Sequence, residues 1–506
     1  MLIAEYFTGK HIFITGGTGF MGKVLIEKLL RSCPTVGNIY ILIREKKGRS
    51  IQERIESMQN LPIFQLLKKT NPDAFKKMIP IRGDVTDVDL GLSADDRKML
   101  IENVNIIYHS AASVRFDDFL KDAILINIRG TREVAQLALE TKNLDFFLHV
   151  STTFCNTDKV VVEEKLYPPH GDWRATIRLA EECDEALLCA LSEKYIRPLP
   201  NTYTFAKSLA EHVVNDMCFG KVPVVIARPS VVVSTLTEPI EGWNANFNGP
   251  VGLLVAGGKG ILRTTFGNPV ETSDYIPVDL AIKVIIMATV RYGGIVRESE
   301  SIEVLNLAQG NIARLTLGEL VQMGRKLILD TPFSTIMWYP RFSITNCWYN
   351  FYIQTVLFHM VPAFFVDLML RLVGKKPMMF SLQRKIYIAN MILQPFLSFT
   401  WIFLNDKATA LRHSVTEEGF TADLDAMDKE RVYDYFRKSK WGAALYILKE
   451  DFDFTRRKSR KNLRRLWYLD IAAKLILFCF LVWILTFKLQ IISRVFIAVQ
   501  NYYTNL

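Results

Sequence analysis

The segment HIFITGGTGFMGKVL (residues 11–25) constrains the fold more than any other. It sets Gly16, Gly19 and Gly22 between a β-branched run and an amphipathic run. Glycines at this spacing let the chain turn sharply and let backbone approach a ligand closely. A helix beginning there aims its free N–H groups and the positive end of its dipole into the turn, which suits a pyrophosphate. Glycines alone also make ordinary tight turns, so the flanking pattern has to decide.

That pattern is strand, helix, strand. HIFIT (11–15), NIYILI (38–43), MIPIRGD (78–84), NIIYHS (105–110), FFLHVS (146–151) and VPVVIARP (222–229) each read as a buried strand. Helical stretches such as FMGKVLIEKLLRS and NIRGTREVAQLALETK lie between them. Alternation of this kind predicts a parallel, doubly wound α/β sheet over residues 1–235, with the glycine turn at its first crossover. Residues 236–335 turn rich in Gly, Pro and Asn and are expected to form a loop-rich region laid over the sheet. Residues 340–455 are helical in pattern and aromatic. The remaining 456–506 hold a basic cluster and a strongly apolar run.

The second strand refines the dinucleotide reading. A site for NAD carries an acid at this point to hold the ribose hydroxyls. Here ILIREKKGRS puts Arg44 there, with Lys46, Lys47 and Arg49 behind it and Glu45 beside it. A cation suits the extra phosphate of NADPH, and arginine can grip it through two N–H groups.

A tyrosine four residues before a lysine occurs twice, as Tyr6/Lys10 and Tyr203/Lys207. The first pair precedes the first strand and is interrupted by Gly9, so it is expected to be incidental. The second lies in NTYTFAKSLAEHVV (201–214). There Pro200 and Asn201 form a helix start, and Phe205, Leu209 and Val213 form an apolar stripe. Tyr203 and Lys207 then share a helix face. Ser151, Thr152 and Thr153 supply hydroxyls at the carboxyl end of the preceding strand, the edge where open α/β sheets bind ligands. A phenol ionises near pH 10, and a neighbouring ammonium favours the phenolate.

TGGTGFMG, GDV (83–85), HSAA (109–112), NIRGT, VST, YTFAK and RPS (228–230) together resemble the extended short-chain dehydrogenase/reductase superfamily. The resemblance implies a Rossmann-like fold. It implies Tyr203 as proton donor, Lys207 as its helper and Thr152, in preference to Ser151, as the orienting hydroxyl. Cofactor contacts are implied at Thr15, Gly16, Gly19, Phe20, Met21, Gly22, Arg44, Lys47, Asp84, Val85, Ala111, Ala112, Asn127 and Pro229, with Tyr203 and Lys207. EPIEGWNANFNGPVGL, GKGILR, DYIPVDLAIKVII and VPAFFVDLMLRLVGKKP narrow the resemblance to the fatty acyl-CoA reductases of animals, from about residue 8 to the end. Lys283 and STTFCN depart from that family's usual residues. The resemblance implies reduction of a long-chain acyl-CoA to a primary alcohol with two NADPH, without metal or covalent cysteine. Two alternatives share the cofactor residues: a membrane-bound steroid or sterol dehydrogenase, and a non-catalytic scaffold that binds acyl-CoA and NADP.

Composition bears on compartment. Half of the residues are hydrophobic, mean hydropathy is +0.14 and net charge is +10. Seven of the basic residues fall in RRKSRKNLRR (456–465), just before IAAKLILFCFLVWILTF (471–487). A cationic segment beside an apolar helix predicts a spanning bilayer anchor with its amino-terminal side in the cytosol, with an interfacial helix or hairpin as the alternative, and not a nucleic-acid interface. The seven cysteines form no C-x-x-C pair and no signal peptide precedes the first strand, so a cytosol-facing body on the endoplasmic reticulum or a peroxisome is expected. A second apolar stretch, 386–404, contains Asn390, Gln394 and Pro395 and reads, with 344–372, as core or membrane-dipping helices and not as a clean span.

Overall fold

The computed structural model describes residues 2–45, 48–247, 249–297, 301–310, 314–422, 428–450 and 456–504. A parallel sheet organises the first part of the chain. Its strands are β1 (Ile12–Thr15), β2 (Ile39–Ile43), β3 (Met78–Arg82), β4 (Ile106–His109), β5 (Phe146–Val150), β6 (Val224–Pro229) and β7 (Glu303–Leu307). They lie in the order β7-β6-β5-β4-β1-β2-β3. Six were expected; β7 is the addition. It pairs with β6 from Glu303↔Val225 to Leu307↔Pro229, so the sheet takes a strand from beyond residue 235.

Alternation along β1 shows why the sheet needs helices on both faces. Ile12 and Ile14 join a core with Val24, Leu25 and Leu29 of helix α1 (Phe20–Ser32), whereas Phe13 joins a second core with Ile107, Val134 and Phe147. Neighbouring residues of one strand point to opposite faces, and both faces are apolar. Helix α2 (Thr202–Cys218) starts where expected. The Asn201 side chain caps it by accepting from the Thr204 N–H at 2.9 Å, and Phe205, Leu209 and Val213 are buried. Helix α3 (Val278–Tyr292) covers the first face, with Ala281, Val284, Ile285 and Ala288 in the same core as Ile12.

Past β7, helix α4 (Leu317–Asp330) leads to a short strand, Ser343–Thr345, that pairs with Thr264–Phe266. Helices α5 (Trp348–Thr355), α6 (Val361–Leu372) and α7 (Met379–Leu397) follow as a hairpin. Asp367 fixes its turn by accepting from the backbone N–H groups of Met378, Met379 and Phe380 at 2.8–2.9 Å. Helix α8 (Lys429–Gly442) precedes the last helix, α9 (Arg456–Thr504).

The apolar run was expected to begin a separate anchor after the basic cluster. Instead α9 is continuous through both, and its first turns pack on the body. Leu463 and Leu466 join a core with Ile328 and Phe333. Asp470, 2% exposed, accepts from the Trp338 indole at 2.8 Å and pairs with Arg341 and Lys474 at 3.1 and 2.8 Å. Beyond it Leu475, Ile476, Phe478, Trp483 and Phe487 face outward. Among the described residues two helical stretches are long and apolar enough to cross a membrane: Ser459–Ile497, and Trp348–Leu372, which is 22% buried.

Candidate active site

The glycine turn closes onto the end of β4. Gly16 has φ +75°, and a Cβ there would lie 2.6 Å from the Ala111 nitrogen and the Ser110 carbonyl carbon. A Cβ on Gly22 would meet the Gly16 oxygen at 2.4 Å. These two positions admit no side chain, so α1 starts tight against the loop with its N–H groups free of bulk. Such a cradle fits a dinucleotide pyrophosphate. Phe20 stacks on Trp243 at 5.5 Å, and Met21 is half-buried beside the same core.

Buried polar side chains hold the neighbouring loops. Thr15 Oγ1 lies 2.7 Å from His109 Nδ1, and His109 Nε2 lies 3.0 Å from Thr131 Oγ1. Burial, reinforced by the Lys207 charge, pulls His109 down to a pKa of about 3, so the ring is neutral at ordinary pH. Asn127 accepts from the Ser113 N–H at 2.9 Å and donates back to its carbonyl at 3.1 Å, clamping the loop that carries Ala111 and Ala112. Val85 packs against Gly130, where a Cβ would come within 2.8 Å of the Val85 oxygen.

At the end of β2, Arg44 is largely exposed and 4.0 Å from Asp84. Glu45 pairs with Arg82 at 3.3 Å, so its charge is answered locally. Lys46 and Lys47 lie outside the described residues.

The second Tyr–Lys pair lies at the carboxyl edge of the sheet. The Tyr203 ring is half-buried and 5.6 Å from Phe116. Its phenol is held above the ordinary value by burial, opposed by the nearby Thr152 hydroxyl. Thr152 accepts from the Phe154 N–H at 3.3 Å and reaches the Pro229 carbonyl at 3.5 Å. The Ser151 hydroxyl is buried with no hydrogen-bond partner among the described residues, so of the two it is Thr152 whose hydroxyl bears on Tyr203.

Lys207 corrects one expectation. It does not acidify Tyr203 in this arrangement. Its Nζ crosses to the Val150 carbonyl at 2.7 Å, and burial pulls the ammonium down to a pKa of about 8. Tyr6 and Lys10 stand apart from all of this: Lys10 pairs with Asp145, ahead of β5, at the opposite edge of the sheet.

A buried ion pair supports the site from below. Arg228 and Glu211, 0% and 2% exposed at their side chains, are joined by two hydrogen bonds of 2.7 and 2.6 Å. Cys155 lies against Glu211 at 3.2 Å, and burial keeps it as a thiol, consistent with packing and not with a nucleophile. Tyr203, Lys207 and Glu211 recur every fourth residue, so the helical period carried a signal for Glu211 that the sequence reading passed over. Phe116 and Phe396, stacked at 4.9 Å beside Tyr203, had none, because 280 residues separate them.

Comparison with known proteins agrees with this geometry. Two family models described as male sterility protein match, an NAD-binding one over residues 14–285 and a second over 358–450. "Fatty acyl-CoA reductase 1" of Pongo abelii is 35% identical over 469 residues, covering 92% of this chain and 90% of its own. "Fatty acyl-CoA reductase wat" of Drosophila melanogaster is 37% identical over 450 residues, covering 88% and 86%. Among solved structures, the terminal reductase domain of the myxalamid biosynthetic pathway superposes with a TM-score of 0.57 at 18% identity, covering 87% and 92%. The reductase domain of a Mycobacterium tuberculosis nonribosomal peptide synthetase does so at 0.56 and 19%, covering 88% and 95%, which extends the likeness in fold alone. The chain belongs to the fatty acyl-CoA reductase family, and is an oxidoreductase with a nicotinamide-dinucleotide-binding domain.

Proposed function

We propose that this protein reduces a long-chain acyl-CoA to the primary alcohol, consuming two NADPH and releasing CoA, with the aldehyde held between the two reductions. The observation that carries the reading is the grouping of Tyr203, Thr152 and Lys207 at the sheet edge that the glycine turn also borders. Gly16, Gly19 and Gly22 would receive the pyrophosphate, Asn127 and Lys207 the nicotinamide end, and Arg44 the 2′-phosphate. Glu45 is engaged by Arg82, and Arg44, largely exposed and no closer than 4.0 Å to Asp84, can turn to a phosphate, which supports NADPH over NADH. When bound, the reduced cofactor supplies hydride to the carbonyl carbon.

Tyr203 acts as the acid. Burial keeps its phenol protonated at neutral pH, so it can donate to the thioester oxygen as negative charge develops there. Thr152 then stabilises the phenolate left behind. The resulting hemithioacetal collapses, expelling CoA thiolate and leaving an aldehyde. As the thiolate leaves, the phenolate takes back the hemithioacetal hydroxyl proton, so Tyr203 is again the acid that can donate to the aldehyde oxygen in the second reduction. Phe116, Phe154, Phe396 and Trp401 form a contiguous aromatic wall beside the phenol, which excludes water and retains the aldehyde.

The outward face of α9 from Leu475 supports insertion in a bilayer, with Arg464 and Arg465 at the cytosolic surface of the endoplasmic reticulum or a peroxisome. Membranes carrying the full chain, given NADPH or NADH and a panel of acyl-CoAs, should yield fatty alcohol with NADPH. Accumulation of free aldehyde, or equal use of NADH, would overturn the corresponding part of the proposal.

A further inference from the structure

An apolar cleft separates the helix Pro250–Gly258 from α4. It encloses about 750 Å3 including its open mouth. Leu254, Gly257, Gly324, Ile328, Phe342 and Leu397 represent its walls, and Arg325 is the only charged residue among the described residues that line it. No part of the mechanism above uses it.

Two of its lining residues tie it to the rest of the molecule. Leu397 follows Phe396 in the chain, whose ring stacks on Phe116 at 4.9 Å, and Phe116 lies 5.6 Å from the Tyr203 ring. Ile328 packs in one core with Leu463 and Leu466 of α9. Pro340 and Phe342 flank Arg341 there, and Arg341 holds Asp470 at 3.1 Å. Asp470 is the buried polar residue that docks α9 just before its exposed apolar face begins at Leu475. The cleft is therefore lined by a neighbour in chain of the aromatic residues beside the candidate proton donor and by a residue packed on the foot of the apolar helix.

Two glycines let its walls approach closely. A Cβ on Gly257 would come within 2.9 Å of the Phe342 Cβ, and one on Gly324 within 3.1 Å of Leu254 Cδ1. Gly324 stands in the middle of α4, where glycine is a poor helix former and nearly any other residue would serve the helix better. Its missing side chain is explained by Leu254, whose methyl packs where a Cβ would begin, so a larger residue here or a smaller one at 254 changes the bore of the cleft.

We infer that this cleft holds the hydrocarbon chain of the thioester, admitted from the membrane side, and that Gly324 and Leu254 form the gauge that sets the longest chain accepted. The inference rests on the acyl-CoA reductase reading and adds to it the place of the chain. Each methylene that a hydrophobic pocket accepts or refuses changes kcat/KM by roughly 10-fold or more, so a narrowed gauge acts on length and not on chemistry.

The test uses the full chain in phosphatidylcholine vesicles with acyl-CoAs of graded length. Gly324→Leu, which favours the helix, is expected to lower kcat/KM for the longest chains by about 10-fold or more while leaving the shortest within about 2-fold. Leu254→Ala, which widens the same point, is expected to move the optimum toward longer chains, and so covers the case in which Gly324→Leu fails to fold. NADPH fluorescence should be unchanged in both. An unaltered length profile in both variants, or an equal fall at every length, overturns the inference. Displacement of a fluorescent fatty acid by the same panel separates it from the reductase reading. If the wild type makes no alcohol but Gly324→Leu still alters length-dependent displacement, the cleft assignment stands and the activity falls. If alcohol forms and displacement ignores the variants, the reverse holds.

Discussion

Arg228→Met should be among the most damaging single changes in the sheet-bearing part of the chain. The guanidinium is fully buried and gives two hydrogen bonds, of 2.7 and 2.6 Å, to a carboxylate that is itself 2% exposed. Methionine fills most of the volume but leaves Glu211 charged and unanswered. Burial alone would push Glu211 up; the Arg228 charge and its hydrogen bonds hold it below the usual carboxylate value. Breaking one partner out of such a pair costs about 3–5 kcal/mol. For a domain of this size 1 kcal/mol moves Tm by about 1–2 °C, so a fall of about 3–10 °C is expected by scanning fluorimetry in detergent. The Glu211→Gln, Arg228→Met double variant removes both charges and should recover more than half of that loss. The pair's contribution is present above the unfolded carboxylate value of about 4.3 and is lost as pH falls through the lower folded value. A fall of under about 3 °C in the single variant, or a double variant as unstable as the sum of its singles, would refute the reasoning.

Three further outcomes are expected. Gly22→Ala places a methyl group 2.4 Å from the Gly16 oxygen, so NADPH affinity measured by fluorescence titration should fall by about 10-fold or more, with a stability loss of about 1–3 kcal/mol. Lys207 has its pKa lowered to about 8 in the folded chain, so its ammonium is present below that pH and lost above it. The alkaline limb of kcat/KM should therefore fall near pH 8, and Lys207→Arg, which keeps its charge, should abolish the limb in whatever activity remains. Deleting 475–506 keeps Leu463, Leu466 and Asp470 docked on the body. The truncated chain should become extractable from membranes by carbonate yet still sediment with vesicles, through the exposed Phe364, Phe365, Leu368 and Met369 of α6.

The parallel sheet was legible because strands buried on both faces write themselves as unbroken apolar runs, and IFIT and IYILI are buried at every position. EVLNL, the strand at Glu303–Leu307, escaped because it is short, opens on a buried glutamate and follows the charged stretch RESES. That glutamate is neutralised by Arg297 and Lys407, partners that no local pattern reveals. The Tyr203 helix was legible from its cap and stripe. The path of Lys207 to the Val150 carbonyl was not, since spacing fixes which face a side chain shares but not where its far end goes. The same limit hid the docking of α9. Asp470 and Lys474 read as a helical pair, whereas Trp338 and Arg341 come from more than a hundred residues earlier. Long-range contacts of this sort are decided by packing, to which a single sequence gives no access.

The proposed reaction turns on Tyr203 as its proton donor. Tyr203→Phe removes one oxygen and keeps the ring against Phe116, so NADPH and acyl-CoA should bind with affinities within about 3-fold of wild type. Single-turnover formation of alcohol should fall by about 100-fold or more, the usual worth of a positioned general acid. Alcohol formed at the wild-type rate by a variant that still binds both would contradict the account at its centre.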